Sequence, residues 1–160
     1  MKKLLLLVLI CGFTAVGFCK TVTAINPPLA LCAALKAVIK EEPSAFETLK
    51  GTYISENTDG SKNYASKVAF EGWASSRYGT TDEGPSIDIK SELTTKATAT
   101  ELFKATEKQI TACLGTEGQV IKAEGIDDFL IFTKDKCDIA LIMVTKDGKT
   151  YVMISVSKAS

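Results

Sequence analysis

The tetrapeptide Lys146-Asp147-Gly148-Lys149 constrains this chain most. Asp-Gly supplies two residues that tolerate positive φ, and the runs on either side, CDIALIMVTK and KTYVMISVSK, read as strands. A two-residue type I′ turn there fixes the register of a hairpin. Pairing Lys146 with Lys149 sets Val144 opposite Tyr151, Ile142 opposite Met153 and Leu141 opposite Ile154. Side chains alternate along a strand, so one face carries Ile139, Leu141, Met143, Val152, Ile154 and Val156. The other carries Ala140, Ile142, Val144, Tyr151, Met153 and Ser155. The first face belongs against helices. The second is also too apolar for a sheet face that simply meets water, so a cover is expected, either a helix or curled sheet of the same chain or a second molecule.

The rest of the chain supplies the layers. INPPLALCAALKAVIKEEP reads as a helix capped at Asn26, with Pro27 in its first turn, Leu31, Cys32, Leu35, Val38 and Ile39 on one face, and Pro43 as its stop. Ser44 to Glu47 has the spacing of a capping box and predicts a second, short helix with Phe46 and Leu49 inward and Gly51 as exit. Period-two patterning then predicts strands in GTYIS, in a long run from Tyr64 to Tyr78, and in SIDIKSEL, where Ile87, Ile89 and Leu93 share a face. In the long run Val68, Phe70, Ala74 and Tyr78 fall on one face, and Lys67, Glu71, Trp73, Ser75 and Arg77 on the other. Thr98 and Glu101 predict a capped helix through Phe103, Ile110 and Leu114, stopped by Gly115. QVIKAE, DFLIFTK and the two hairpin strands follow. The expected class is α+β, in the order α-α-β-β-β-α-β-β-β with QVIKAE as one further candidate strand. The sheet is antiparallel and the helices pack mainly on one face.

The N-terminus carries a separate message. Met1-Lys2-Lys3 followed by an apolar run to Phe18 is the pattern of a Sec-type signal peptide over residues 1–24, cut after Ala24, with a cut after Gly17 as the alternative. Residues 25–160 are then a single globular domain with no membrane anchor, located in the periplasm or outside the cell. Losing Lys2, Lys3 and Lys20 leaves 16 basic against 19 acidic residues, a net charge of −3. With Arg77 as its single arginine, such a chain lacks the basic field that nucleic-acid binding requires.

The composition also restricts catalysis. The chain has no histidine, which removes Ser-His-Asp and Cys-His mechanisms and the common zinc sites. The acid pairs Glu41-Glu42, Asp82-Glu83 and Asp127-Asp128 are sequence neighbours at helix ends or turns, Glu56 to Asn63 fails the calcium-loop spacing, and no glycine-rich loop joins a strand to a helix. The reading is therefore of a protein that is not an enzyme, with no catalytic residues, no metal and no cofactor. No motif is specific enough to one family to carry residue roles across.

Cys11 and Cys19 leave with the leader, so Cys32, Cys113 and Cys137 remain, an odd number for an oxidising compartment. Cys113 with Cys137 is the expected disulfide, worth about 3 kcal/mol in the chain-entropy model, and Cys32 is the expected buried thiol. Trp73 and Arg77 are residue types that anchor protein interfaces, although a tryptophan on such a strand can equally pack beneath a loop or helix. The candidate binding residues are Glu71, Trp73 and Arg77, together with Ile142, Tyr151 and Met153 of the hairpin. They point to contact with another protein or to self-association. The alternative is a carrier that holds a small apolar ligand among Phe70, Phe103, Phe129, Phe132 and Tyr151.

Overall fold

The computed structural model describes residues 30–81 and 84–159. The signal peptide with its cleavage point, the Asn26 cap and the Asp82-Glu83 pair lie outside the described residues. Among the described residues the fold is mixed α+β, with two α-helices and one antiparallel sheet of eight strands.

Helix α1 spans Leu31–Lys40 and starts there because Ala30, at φ −56° and ψ 146°, is still extended. Leu31, Ala34, Leu35 and Val38 form its buried stripe. The expected second helix does not form. Two single 3-10 turns, Glu42–Ser44 and Glu47–Leu49, stand in its place, separated by Ala45 and Phe46, both left-handed at φ 53° and 59°. The capping box fails because both of its members are engaged elsewhere. Ser44 Oγ donates to the Glu41 carbonyl, and Glu47 accepts a 2.6 Å hydrogen bond from Tyr78. Phe46 and Leu49 are nonetheless buried, as their spacing predicts.

Strands β1 (Lys50–Glu56), β2 (Lys62–Ser66), β3 (Ser75–Thr81) and β4 (Gly84–Lys90) form an antiparallel meander. The expected single strand from Tyr64 to Tyr78 is thus two strands that pair with each other, with Tyr64 directly opposite Tyr78. Ser66 Oγ accepts from the Val68 amide and Gly72 takes φ 79°, so the chain leaves the sheet after Ser66, buries Val68 and Phe70, and returns at Ser75. Leu93, expected beside Ile87 and Ile89, lies beyond the end of β4 and is 54% exposed, while Ile87 and Ile89 are fully buried.

Helix α2, Lys96–Leu114, is capped by Thr95, whose hydroxyl accepts from the Thr98 amide, one turn earlier than the expected cap. It ends at Gly115, which is left-handed at φ 69° as a helix stop requires. Strands β5 (Gln119–Val120), β6 (Asp128–Lys134), β7 (Cys137–Lys146) and β8 (Lys149–Lys158) form a second meander. The β7–β8 turn has Asp147 and Gly148 both at positive φ, and Lys146–Lys149, Val144–Tyr151, Ile142–Met153 and Leu141–Ile154 are paired as the turn dictates.

The strand order is β1-β2-β3-β4-β8-β7-β6-β5, so each helix precedes a four-stranded meander and the two meanders join along β4 and β8. Ile87, Ile89, Leu130, Phe132, Ile139, Leu141, Met143, Val152, Ile154 and Val156 present one continuous face. That face forms a single core with Leu35 and Val38 of α1 and Phe103, Ile110 and Leu114 of α2. Burying each such side chain stabilises the fold by about 1.5–3 kcal/mol, which is why the sheet is fixed at its centre. Among the described residues no helix is long and apolar enough to cross a membrane.

The cysteine pairing differs from the expected one. Cys32 and Cys113 form the disulfide, with Cα atoms 5.5 Å apart, and Cys137 is a buried free thiol. The two helices pack against each other and bring Cys32 to Cys113, whereas Cys137 opens β7 with its side chain in the core.

Candidate functional site

Alternation places a second set of residues on the side of the sheet away from the helices. Cross-strand pairing arranges it in rows. Arg77, Asp88, Ser155, Ala140 and Ile131 succeed one another across β3, β4, β8, β7 and β6. In the next row come Ser75, Lys90, Met153, Ile142 and Phe129, and Tyr151 faces Val144 beyond it. The rows change character from β3 to β6, with charged and hydroxyl side chains on β3, on β4 and at Ser155 of β8, and apolar ones on the rest of β8 and on β7 and β6. Ile142 is 9% exposed yet lies outside the core cluster, because its shielding comes from neighbours on its own face. Met153, Val144, Phe129, Ile131 and Tyr151 around it are half-buried.

The polar end of this face is tightly arranged. Asp88 accepts hydrogen bonds from Ser155 Oγ at 2.5 Å and Ser86 Oγ at 3.3 Å. Burial pushes its carboxyl above the usual aspartate range, with the two hydroxyls and nearby Arg77 opposing that shift. The Lys90 ammonium sits 3.5 Å from the centre of the Tyr151 ring, a cation–π contact. Burial lowers its pKa, and the like charges of Arg77 and Lys146 lower it further. Arg77 itself is exposed.

Of the expected binding residues, Arg77, Ile142, Tyr151 and Met153 meet on this face. Glu71 and Trp73 do not join them. The break in the expected long strand moves both into the β2–β3 connection. There Trp73 is half-buried against the core and lines, with Leu31, Glu71, Leu102, Thr106 and Gln109, a cleft of about 300 Å³ beside the helices. Ser155 falls on the hairpin face where alternation put it, whereas Asp88, Lys90, Phe129 and Ile131 were not expected at the site. Alternation within SIDIK and DFLIF gives their parity, but the β4–β8 pairing that brings them together is long-range.

The five aromatic residues expected around a carried ligand do not line one cavity. Phe70, Phe103 and Phe132 are buried in the core, and Tyr151 is on the opposite face of the sheet. A cleft of about 230 Å³ between α2 and β6 includes Phe103, Val120, Phe129 and Leu130 with Lys104, Glu107 and Asp128. Among the described residues no group of three or more Cys, Asp or Glu side chains is placed to hold a metal ion.

Among the described residues, fold and face together define an α+β protein whose two helices contribute to the core on one side of its sheet. Comparison with protein-family models, with characterised proteins and with solved structures found no match.

Proposed function

We propose that this chain is a small exported protein that acts by binding another polypeptide through the open face of its sheet, without catalysis, as an inhibitor, an immunity-type protein or a periplasmic chaperone does. The observation that carries this reading is the row Lys90, Met153, Ile142 and Phe129, apolar for three strands and cationic at its end. Both helices contribute to the core on the other side, so neither covers it. A centre of apolar side chains with a charged margin is the usual anatomy of a protein contact surface. The Cys32–Cys113 disulfide agrees with an oxidising compartment, and the leader pattern of residues 1–24 agrees with export. The lack of histidine and of a catalytic motif supports binding over turnover.

The test is recovery of partners from the cell envelope with the wild-type protein and a Met153→Lys variant as baits. Loss of a discrete partner with the folded variant supports the reading. Recovery of the same partners by both contradicts it.

A further inference from the structure

The apolar patch is bordered by cations on one flank. Arg77 on β3 and Lys90 on β4 stand on adjacent rows as diagonal neighbours, about 7–8 Å apart by sheet geometry and within reach of one another's long side chains. Lys146 lies close enough to Lys90 to repel it. Neither Arg77 nor Lys90 belongs to an ion pair among the described residues; those pairs are Lys50–Glu47, Lys62–Glu56, Lys96–Asp127 and Lys158–Glu42. The acid between them, Asp88, is already engaged by Ser155 and Ser86. A hydroxyl donor does not neutralise a carboxylate, so Asp88 offsets one of these charges; Arg77, Lys90 and Lys146 together still leave the flank net positive, and Tyr151 holds one of its cations in place.

We infer that the partner's docking segment carries apolar side chains that seat on Met153, Ile142 and Phe129, and an Asp or Glu carboxylate that seats between Arg77 and Lys90. This inference rests on the binding role proposed above. Arg77 offers a planar fork that takes a carboxylate through two parallel hydrogen bonds, and Lys90 offers a point charge beside it. An arriving carboxylate relieves the repulsion between the two cations, so the contact gains more than an isolated surface ion pair would. An anionic lipid surface also combines charge with an apolar phase, but the cations on this flank are Arg77, Lys90 and Lys146, fewer than the clusters of about four to eight Lys or Arg that bind anionic lipids.

The experiment is selection of displayed random dodecapeptides on the immobilised protein, with Met153→Lys as counter-selection so that retained sequences depend on the open face. Retained peptides are expected to combine apolar residues with Asp or Glu, and to lose about tenfold or more in affinity against Arg77→Glu and Lys90→Glu. Peptides that instead gain Lys or Arg when the charge-reversed proteins serve as bait support the same conclusion. Lys90→Gln, which keeps the length and removes the charge, is the second variant should Lys90→Glu fail to fold. Face-dependent peptides without acidic residues, or acidic ones indifferent to the charge reversals, overturn the inference and leave the binding role standing. No face-dependent peptide at all, or face-dependent binding only to vesicles containing phosphatidylglycerol, overturns both.

Discussion

Ser155 donates a 2.5 Å hydrogen bond to Asp88 across the β4–β8 seam, so a half-buried carboxylate sits where the two halves of the sheet join. Its burial raises its pKa, and the native state therefore holds that proton more tightly than the unfolded chain does. Between the unfolded aspartate value of about 3.9 and the raised native one, stability falls as pH rises. Asp88→Asn keeps an oxygen for Ser155 and removes the charge. It is expected to raise Tm at neutral pH, with the gain shrinking as the medium is acidified through the carboxylate range. Thermal melts of both proteins from pH 3 to 8 measure this, and a variant less stable at pH 7 would show that Asp88 is held as a favourable ion.

Cys32 and Cys113 are 81 residues apart in sequence, and closing a loop of that length stabilises a fold by about 4.5 kcal/mol in the chain-entropy model. Cys32→Ala with Cys113→Ala is expected to lower stability by roughly 2–5 kcal/mol in urea denaturation. Peptide mapping without reductant should return the Cys32–Cys113 cross-link. A Cys113–Cys137 peptide would refute the pairing.

Cys137 is fully buried, and burial together with Glu42, Asp135 and Asp138 pushes its thiol up to about 11. Thiolate is the reactive form, so Cys137 should resist iodoacetamide at pH 8 in the folded protein and react once urea unfolds it. Mass spectrometry of the Cys137 peptide reads this directly. Rapid labelling without denaturant would mean that the start of β7 opens.

Gly148 is at φ 73° in the β7–β8 turn, a conformation that costs a residue with a Cβ about 1–2 kcal/mol. Gly148→Val is expected to cost at least that much. Its denaturation midpoint should fall with an unchanged m value, because the hairpin is destabilised locally and unfolding exposes the same surface. A change below about 0.3 kcal/mol would argue against a type I′ turn.

That hairpin was legible because its information is local. Two residues set the turn, and the turn sets every pair from Lys146–Lys149 to Cys137–Lys158. The stretch from Tyr64 to Tyr78 was not, since apolar residues recur at intervals of two straight through a break made by Gly72 and the Ser66 side chain. Trp73 was misplaced with it. Ser44 and Glu47 have capping-box spacing, but Tyr78, 31 residues away, takes the glutamate. Cysteine pairing and the β4–β8 seam are long-range in the same way. Half of the candidate face, Ile142, Tyr151 and Met153, could be read from the hairpin, while Asp88 and Lys90 joined it only through the strand order.

The central claim is that the open face is the contact surface. A photo-crosslinking amino acid placed at position 153, and separately at exposed Lys108 on α2, tests it in the living cell. Position 153 should give one discrete protein adduct, weakened by Arg77→Glu, and position 108 none. Equal adducts at both positions, or an adduct at 108 alone, would contradict the account.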